Sequence, residues 1–220
     1  MSTDPEAFKR AAALAAAEEI EDGMRLGLGT GSTVAHLLPA IAARGLRDLR
    51  CVATSVATEQ AAAALGLAVE SFDTLTHLDL AIDGADQIAP DGWIVKGGGG
   101  AHTREKIVAA AAERFVVIAD TSKVVDALSA PVPLELLAFG LPATLAAVAA
   151  SGPVTVRANC PLSPDGGVIA DYAGDVGDPS ALAARLAATP GVVDHGLFGP
   201  QLTSEVIVAG PDGVVRRRLA

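Results

Sequence analysis

The residues best suited to chemistry lie in one short stretch between Lys96 and Glu105. A lysine precedes four consecutive glycines, Gly97 to Gly100, and a predicted helix start follows whose third residue is the carboxylate Glu105. Because glycines carry no side chain, their N–H groups can close around an oxygen-rich ligand. A cation, exposed amides and a carboxylate together suit a phosphorylated substrate from which a proton is moved. A flexible surface turn is the alternative, but this run stands between apolar residues 93–95 and a helix rather than among linker residues.

A second glycine-rich segment, Gly27-Leu28-Gly29-Thr30-Gly31-Ser32-Thr33, lies at the first predicted strand-to-helix turn. Backbone N–H groups and the hydroxyls of Thr30, Ser32 and Thr33 can hold an oxyanion there. The glycine spacing is one residue short of the dinucleotide-binding motif, and no acidic residue ends the second strand at Ala53. The loop also lacks the lysine of a Walker A motif. A plain tight turn stays open as the alternative.

Carboxylates and a further lysine follow other predicted strands. Asp83-Gly84-Ala85-Asp86 comes directly after the strand that ends at Ile82. Its two carboxylates can hold sugar hydroxyls or exchange a proton. A helix cap or an Asx turn, which an Asp-Gly pair often forms, is the alternative. Lys123 follows the strand that ends at residue 119 and, taken alone, is more typical of the protein surface.

The elements that position these residues alternate between strands and helices. The apolar pattern predicts strands over residues 24–29, 49–53, 78–82, 93–95 and 115–119, and helices over residues 4–21, 32–44, 58–65 and 103–113. We therefore predict an α/β fold with a doubly wound, mostly parallel, Rossmann-like sheet. Ligands bind at the carboxyl ends of the strands in such sheets, so the four strand ends at 29, 82, 95 and 119 are expected at one edge.

The pattern changes near Pro131-Val132-Pro133. From there to about Pro200, short strands, a turn over residues 164–167 and two helices predict a smaller inserted α+β domain of residues 131–200. Residues 1–130 and 201–220 then form the α/β catalytic domain. The segment 204–209 and the hairpin after it are expected to return to its sheet.

Composition and charge argue against several classes of partner. The 220-residue chain is 50% hydrophobic with a net charge of −10, which argues against nucleic acid and membrane surfaces. No apolar run approaches the roughly 18 residues of a membrane span. The acidic amino terminus lacks the basic region of a signal peptide, and Cys51 and Cys160 form no disulfide framework, so we predict a cytoplasmic protein. The four histidines are scattered, so no metal site is expected.

Four motifs stand in a fixed order along the chain. They are Gly-Thr-Gly-Ser-Thr at 29–33, Asp-Gly-Ala-Asp at 83–86, Lys-Gly-Gly-Gly-Gly-Ala at 96–101 with Thr-Arg-Glu-Lys at 103–106, and Ala-Asp-Thr-Ser-Lys at 119–123. Their order and spacing resemble the A-type ribose-5-phosphate isomerases over nearly the whole chain. Two positions depart from that pattern. His102 stands where the family usually has leucine, and residues 162–167 stand where a Thr-Asp-Asn-Gly-Asn-like turn is expected.

The resemblance implies a cofactor-free aldose–ketose isomerase of the pentose phosphate pathway in carbohydrate metabolism, usually a homodimer or homotetramer. Its substrate is the pentose 5-phosphate pair ribose and ribulose 5-phosphate, and Glu105 is implied as the base of a cis-enediolate mechanism. The implied substrate contacts are Thr30, Gly31, Ser32, Thr33, Asp83, Gly84, Ala85, Asp86, Lys96, Gly97, Gly98, Gly99 and Lys123. The residues alone leave open whether Ser32, Thr33, Lys123 or the glycine amides hold the phosphate.

Two other functions stay open at this stage. An amino-sugar-phosphate deaminase-isomerase is an enzyme of similar build, and the sugar-phosphate-sensing domain of a transcriptional regulator binds such a ligand without turnover. A regulator also needs a DNA-binding module. The predicted helix over residues 4–21 is too short and too acidic to provide one.

Overall fold

The computed structural model describes residues 4–219 of the chain, so only the first three residues of the amino terminus considered above, and residue 220, lie outside the described residues. In chain order its helices are α1 (Pro5–Ala17), α2 (Ser32–Ala43), α3 (Val56–Ala64), α4 (His102–Ala110), α5 (Leu141–Ala149) and α6 (Pro179–Ala187). The strands are β1 (Arg25–Leu28), β2 (Arg50–Ala53), β3 (Leu78–Asp83), β4 (Gln87–Ile88), β5 (Ile94–Val95), β6 (Ala112–Asp120), β7 (Val132–Leu136), β8 (Val154–Val156), β9 (Val168–Tyr172), β10 (Val192–His195), β11 (Leu197–Phe198), β12 (Glu205–Gly210) and β13 (Gly213–Arg218). None of the helices in this part of the chain is long and apolar enough to cross a membrane.

The chain divides into two compact units, and each is described by itself. Among the described residues, the first unit holds residues 4–85, 104–124 and 200–219, and the second holds residues 86–103 and 125–199. The chain thus passes between the units near residues 85, 103, 124 and 199. We still propose, from the sequence, a catalytic domain and a smaller inserted domain whose boundaries lie near residues 130 and 200.

The first unit is built on a six-stranded sheet in the order β2-β1-β3-β6-β12-β13. The strands β2, β1, β3, β6 and β12 run parallel, and β13 pairs antiparallel with β12 at the edge. Val206 of β12 lies beside Val117 of β6. This pairing confirms that the last part of the chain returns to the main sheet.

Helices cover both faces of this sheet, because alternate strand residues point to opposite sides. On one face, Leu28, Ile82 and Val116 join the alanine-rich α1 and the apolar residues of α2 in one buried cluster. On the other face, Gly27 leaves room for Val108 of α4, since a β-carbon on Gly27 would stand 2.4 Å from Val108 Cγ1. Helices on both faces of a mostly parallel sheet confirm the doubly wound α/β fold.

The second unit contains two antiparallel sheets. One has four strands in the order β10-β7-β9-β8, and the other has three in the order β11-β5-β4. Leu134 of β7 lies in a buried cluster with Val148 of α5 and Leu182 of α6, so both helices pack on the four-stranded sheet. This combination of antiparallel sheet and helices confirms the α+β character predicted for this part of the chain.

One prediction for this unit is wrong. The sequence predicts that the strand near residues 93–95 joins the main sheet, but β5 pairs antiparallel with β4 and β11. A two-residue strand is too short for its periodicity to indicate a sheet. The strand β7 runs through Pro133. Its carbonyl still accepts the Gly196 N–H at 2.7 Å, so the strand continues through a residue that lacks an N–H.

Candidate active site

The loop after β1 is held by β3. The Gly29 N–H donates to the Ile82 carbonyl at 2.9 Å, and the Thr30 N–H donates to Asp83 Oδ1 at 3.0 Å. The same Asp83 oxygen accepts the Gly84 N–H at 2.7 Å. Asp83 is only 3% exposed. The Gly-Thr-Gly and Asp-Gly motifs therefore meet at the carboxyl ends of two neighbouring parallel strands.

The Thr30 hydroxyl lies among three hydroxyls that follow β2. Its Oγ1 is 2.9 Å from Thr54 Oγ1, 2.8 Å from Ser55 Oγ and 3.3 Å from Thr58 Oγ1. Thr58 Oγ1 also donates to the Gly29 carbonyl at 2.9 Å, which ties α3 to the loop after β1. These three residues are not among those predicted for the site. Thr54 and Ser55 directly follow the predicted strand that ends at Ala53, which is a local signal for the sheet edge, whereas Thr58 stands at the start of the predicted helix 58–65.

The start of α2 adds backbone donors at the same edge. Gly31 is the residue before the helix, with φ of +112°, a conformation that side-chain-bearing residues rarely adopt. Because a glycine has no side chain to accept the first N–H groups of α2, a bound anion can accept them. The neighbouring Ser32 is exposed and Thr33 is half-buried. This segment therefore suits an anionic group of a ligand.

Glu105 lies in the first turn of α4 and is 5% exposed. Two contacts show where α4 lies along the strand direction of the sheet. At the amino end of β3 the Leu78 N–H donates to the Ala111 carbonyl at 2.9 Å, and Val108 packs over Gly27 in β1. The helix therefore runs from the carboxyl edge of the sheet towards the amino edge. One turn before Val108, Glu105 lies at the level of the loop after β1.

Lys123 ends a short 3₁₀ helix, Thr121–Lys123, that directly follows β6. Asp120, the last residue of β6, caps this helix by accepting the Ser122 N–H at 2.8 Å. Because β6 runs parallel to β3, with Val117 beside Asp83, the Lys123 segment leaves the sheet at its carboxyl edge. Lys123 is half-buried. The end of β6 therefore lies at the carboxyl edge of the sheet, where the sequence predicts it.

In the second unit, Asp86 and the glycine run hold one another. Asp86 Oδ2 accepts the Gly98 N–H at 2.8 Å, and the Asp86 N–H donates to the Val95 carbonyl at 2.8 Å. A β-carbon on Gly98 would stand 2.9 Å from Asp86 Oδ1. Asp86 therefore fixes a loop amide, while Gly98 and Gly99 remain exposed at the surface of this unit.

Lys96 and His102 flank the glycine run, and both are buried. The Lys96 Nζ lies 5.6 Å from the centre of the Phe198 ring, a cation–π distance. Gly97 has φ of +105° and approaches His102 so closely that a β-carbon would stand 2.7 Å from Nδ1. The unusual histidine at position 102 thus packs against the backbone of the run.

The two compact units divide the predicted site residues between them. The first unit holds Thr30, Gly31, Ser32, Thr33, Asp83, Gly84, Ala85, Glu105 and Lys123. The second unit holds Asp86, Lys96, Gly97, Gly98 and Gly99. The strand ends near residues 29, 82 and 119 share one sheet edge as predicted. The strand end at residue 95 belongs to a separate sheet, which corrects the prediction of four ends at one edge.

One group of possible metal ligands, His77, Asp79 and Glu113, occurs among the described residues. Arg25 donates to Asp79 from its backbone at 2.7 Å and from its guanidinium at 3.0 and 3.3 Å, and these bonds lower the pKa of the carboxyl. Arg25 begins β1, so the group lies at the amino edge of the sheet, opposite Asp83. It is therefore separate from the candidate site.

Comparison with known proteins points to one family. The family model for ribose 5-phosphate isomerase A (phosphoriboisomerase A) matches residues 50–213. The chain belongs to this family. A ribose-5-phosphate isomerase A from Caulobacter vibrioides is 45% identical over 227 residues, which cover 98% of this chain and 99% of that protein. Family membership identifies the chain as an isomerase.

Solved structures of the family share the fold. Ribose 5 phosphate isomerase A from Neisseria gonorrhoeae is 30% identical, with a TM-score of 0.95 and 100% of both chains covered. A D-ribose-5-phosphate isomerase in complex with phospho-erythronic acid is 32% identical, with a TM-score of 0.92 over 98% of this chain and 99% of that one. The α/β architecture described above is therefore that of the family.

Proposed function

We propose that the chain interconverts ribose 5-phosphate and ribulose 5-phosphate through a cis-enediolate, with Glu105 as the base. The observation that supports this most is the position of Glu105, a buried carboxylate at the level of the loop after β1. The reaction moves one proton from C2 to C1 and another between the two oxygens. A positioned carboxylate suits the carbon-bound proton, because it can accept the proton and return it.

The residue roles follow from this chemistry and from the family resemblance. Glu105 takes the C2 proton, and the electron pair left behind forms the enediolate. Glu105 then returns the proton to C1, which completes the ketose. We assign to Lys96 the stabilisation of the enediolate oxygen, because a buried cation opposes the developing negative charge. Asp83 and Asp86 hold sugar hydroxyls and assist opening of the furanose ring.

We propose that the phosphate binds at the start of α2 and near Lys123. Ser32 and Thr33 offer hydroxyls beside the first N–H groups of α2. The glycine run is the alternative phosphate site, but its Gly98 N–H already donates to Asp86. Local donors are required because the net charge of −10 repels anions at long range. A relative of this family binds phospho-erythronic acid, which supports a phosphorylated ligand. Backbone at Gly31, Gly84, Ala85, Gly97, Gly98 and Gly99 completes the proposed contacts.

The remaining proposals rest on the sequence resemblance and on composition. The enzyme uses no cofactor or metal, acts in the pentose phosphate pathway in the cytoplasm, and works as a homodimer or homotetramer. Its partner is a small pentose 5-phosphate. The net charge of −10 argues against nucleic acid or an anionic membrane as the partner. Light scattering of the purified protein measures the oligomeric state, and a monomer would contradict this proposal.

Turnover of ribose 5-phosphate in D₂O tests the central proposal. A coupled ketose assay measures the rate, and NMR of the product detects deuterium on carbon. We expect ketose to form and to carry some deuterium, because a carboxylate that holds the proton exchanges it with solvent. Ketose without any carbon-bound deuterium would indicate a hydride shift and contradict the enediolate. No ketose at all would contradict the proposed substrate.

A further inference from the structure

One face of the four-stranded sheet in the second unit supports the glycine run. Glu135 lies opposite Ile169 in the register of β7 and β9, and Asp171 lies two residues along β9, so all three side chains share this face. Glu135 accepts the Thr103 hydroxyl at 2.5 Å. A β-carbon on Gly100 would stand 3.3 Å from Ile169 Cγ1. The sheet thus contacts the run at its carboxyl end.

Arg157, which directly follows β8, connects Asp171 with the run. Its Nε and Nη2 donate to the two carboxylate oxygens of Asp171 at 2.9 and 2.5 Å, in a two-point pair that raises the pKa of Arg157. Its Nη1 donates to the Gly98 carbonyl at 2.9 Å and to the Gly97 carbonyl at 3.3 Å. The guanidinium therefore holds two consecutive loop carbonyls from one side.

These two carbonyls determine where the following amides point. In a trans peptide the C=O and the next N–H point in opposite directions. Fixing the Gly97 carbonyl orients the Gly98 N–H, which donates to Asp86, and fixing the Gly98 carbonyl orients the Gly99 N–H. Successive glycines lose more conformational freedom on ordering than any other residues, so the run depends on such external contacts to keep one conformation.

We propose that Arg157 is a positioning residue for the isomerase reaction, because it holds the glycine run in the conformation that receives the substrate. This inference rests on the proposed function. In it, Arg157 affects the reaction by ordering the glycine run and does not itself contact the substrate. A lysine at this position keeps the charge, but it cannot bind Asp171 through two nitrogens and still reach both carbonyls.

The decisive variant is Arg157→Lys, with Arg50→Lys as the matched control. Arg50 makes a similar two-point pair with Glu70, at 2.7 and 2.8 Å, on the outer strand β2 of the first unit. We expect Arg157→Lys to lower kcat by about 10- to 100-fold with a smaller change in KM. The reason is that amides of the glycine run that are out of position no longer stabilise the transition state. Arg50→Lys is expected to keep the wild-type kcat. Asp171→Asn, which leaves Arg157 in place, should lower kcat in the same direction by less.

Hydrogen exchange provides a readout that does not depend on turnover. We expect the amides of residues 97–100 to exchange faster in Arg157→Lys than in the wild type, while those of β6 are unchanged. Guanidinium ion at low millimolar concentration should partly restore kcat in Arg157→Ala and not change it in Arg50→Ala. If the wild type does not isomerise ribose 5-phosphate, the proposed function fails. The exchange measurement then still tests whether Arg157 keeps residues 97–100 in one conformation. Unchanged exchange at residues 97–100, or a wild-type kcat in Arg157→Lys, would overturn the inference.

Discussion

Gly29 and Asp83 lie so close together that a β-carbon on residue 29 would stand 2.0 Å from the Asp83 carboxyl carbon. The same carboxyl group accepts the N–H groups of Thr30 and Gly84. A larger residue at 29 must therefore displace the carboxylate that holds the loop after β1. The glycine is required here by the close approach of another side chain.

Replacing Gly29 by alanine should damage both stability and catalysis. We expect Gly29→Ala to lower the free energy of unfolding by about 1–3 kcal/mol, the usual cost of overpacking, and kcat by at least about tenfold. Urea denaturation and the coupled assay measure the two effects. Gly84→Ala is the control for stability, because a β-carbon there would meet nothing nearer than 3.9 Å. Wild-type stability and kcat in Gly29→Ala would show that the Asp83 position is not needed.

Glu105→Gln tests the base directly. Glutamine keeps the size of glutamate but cannot accept the C2 proton, so we expect kcat to fall by about 10²- to 10⁴-fold with KM little changed. Glu113→Gln, at an exposed glutamate of β6, is the matched control and should keep the wild-type kcat. Steady-state kinetics with thermal denaturation separates lost chemistry from lost folding. A near-normal kcat in Glu105→Gln would move the base to Asp83 or Asp86.

Lys123→Ala tests the proposed phosphate contact. If Lys123 binds the ground state and the transition state equally, KM should rise by more than kcat falls. Lys123→Arg keeps the positive charge and should recover most of the lost affinity. Steady-state kinetics with ribose 5-phosphate gives both constants. Unchanged kinetics in Lys123→Ala would return this half-buried lysine to a surface role.

Exhaustive chelation tests the absence of a metal requirement. The proposed proton transfer by Glu105 and the proposed charge stabilisation by Lys96 need no metal ion, so we expect full activity after prolonged dialysis against a chelator. His77→Ala removes one member of the His77, Asp79 and Glu113 group and should not alter kcat. Activity that returns only on addition of a divalent ion would contradict the proposed mechanism.

The Asp79–Arg25 pair should make stability depend on pH. Arg25 lowers the pKa of Asp79 below its usual 3.8, so the stabilisation is present above that pKa and is lost as pH falls through the lower, folded-state pKa. The side chains are 26% and 38% exposed, which limits the effect. We expect Asp79→Asn to cost about 0.5–1 kcal/mol near pH 7 and progressively less below about pH 4.

Urea denaturation at several pH values measures this difference in the free energy of unfolding. Asp22→Asn is the control, because the more exposed Asp22 makes a similar pair with Arg47 and should give a smaller difference. A cost for Asp79→Asn that does not change with pH would attribute the loss to hydrogen bonding without a contribution from ionisation.

The sequence by itself determined the fold class and the residues proposed for the site. Buried strands such as 115–119 are continuous apolar runs, and the motifs at 29–33, 83–86 and 96–106 directly follow predicted strands. These signals are local, because a strand, a glycine run and a helix start each depend on a few neighbouring residues. The parallel order of the strands then follows from their alternation with helices.

The tertiary structure alone decided which distant residues meet. It pairs the two-residue β5 with β4 and β11, surrounds the Thr30 hydroxyl with Thr54, Ser55 and Thr58, and brings Arg157 to the Gly98 carbonyl across 59 residues of chain. No local pattern predicts such contacts, because a hydrogen-bond partner far along the chain is selected by the packing of the whole compact unit. Local sequence therefore specifies the elements and their chemistry, and long-range packing specifies what holds them in place.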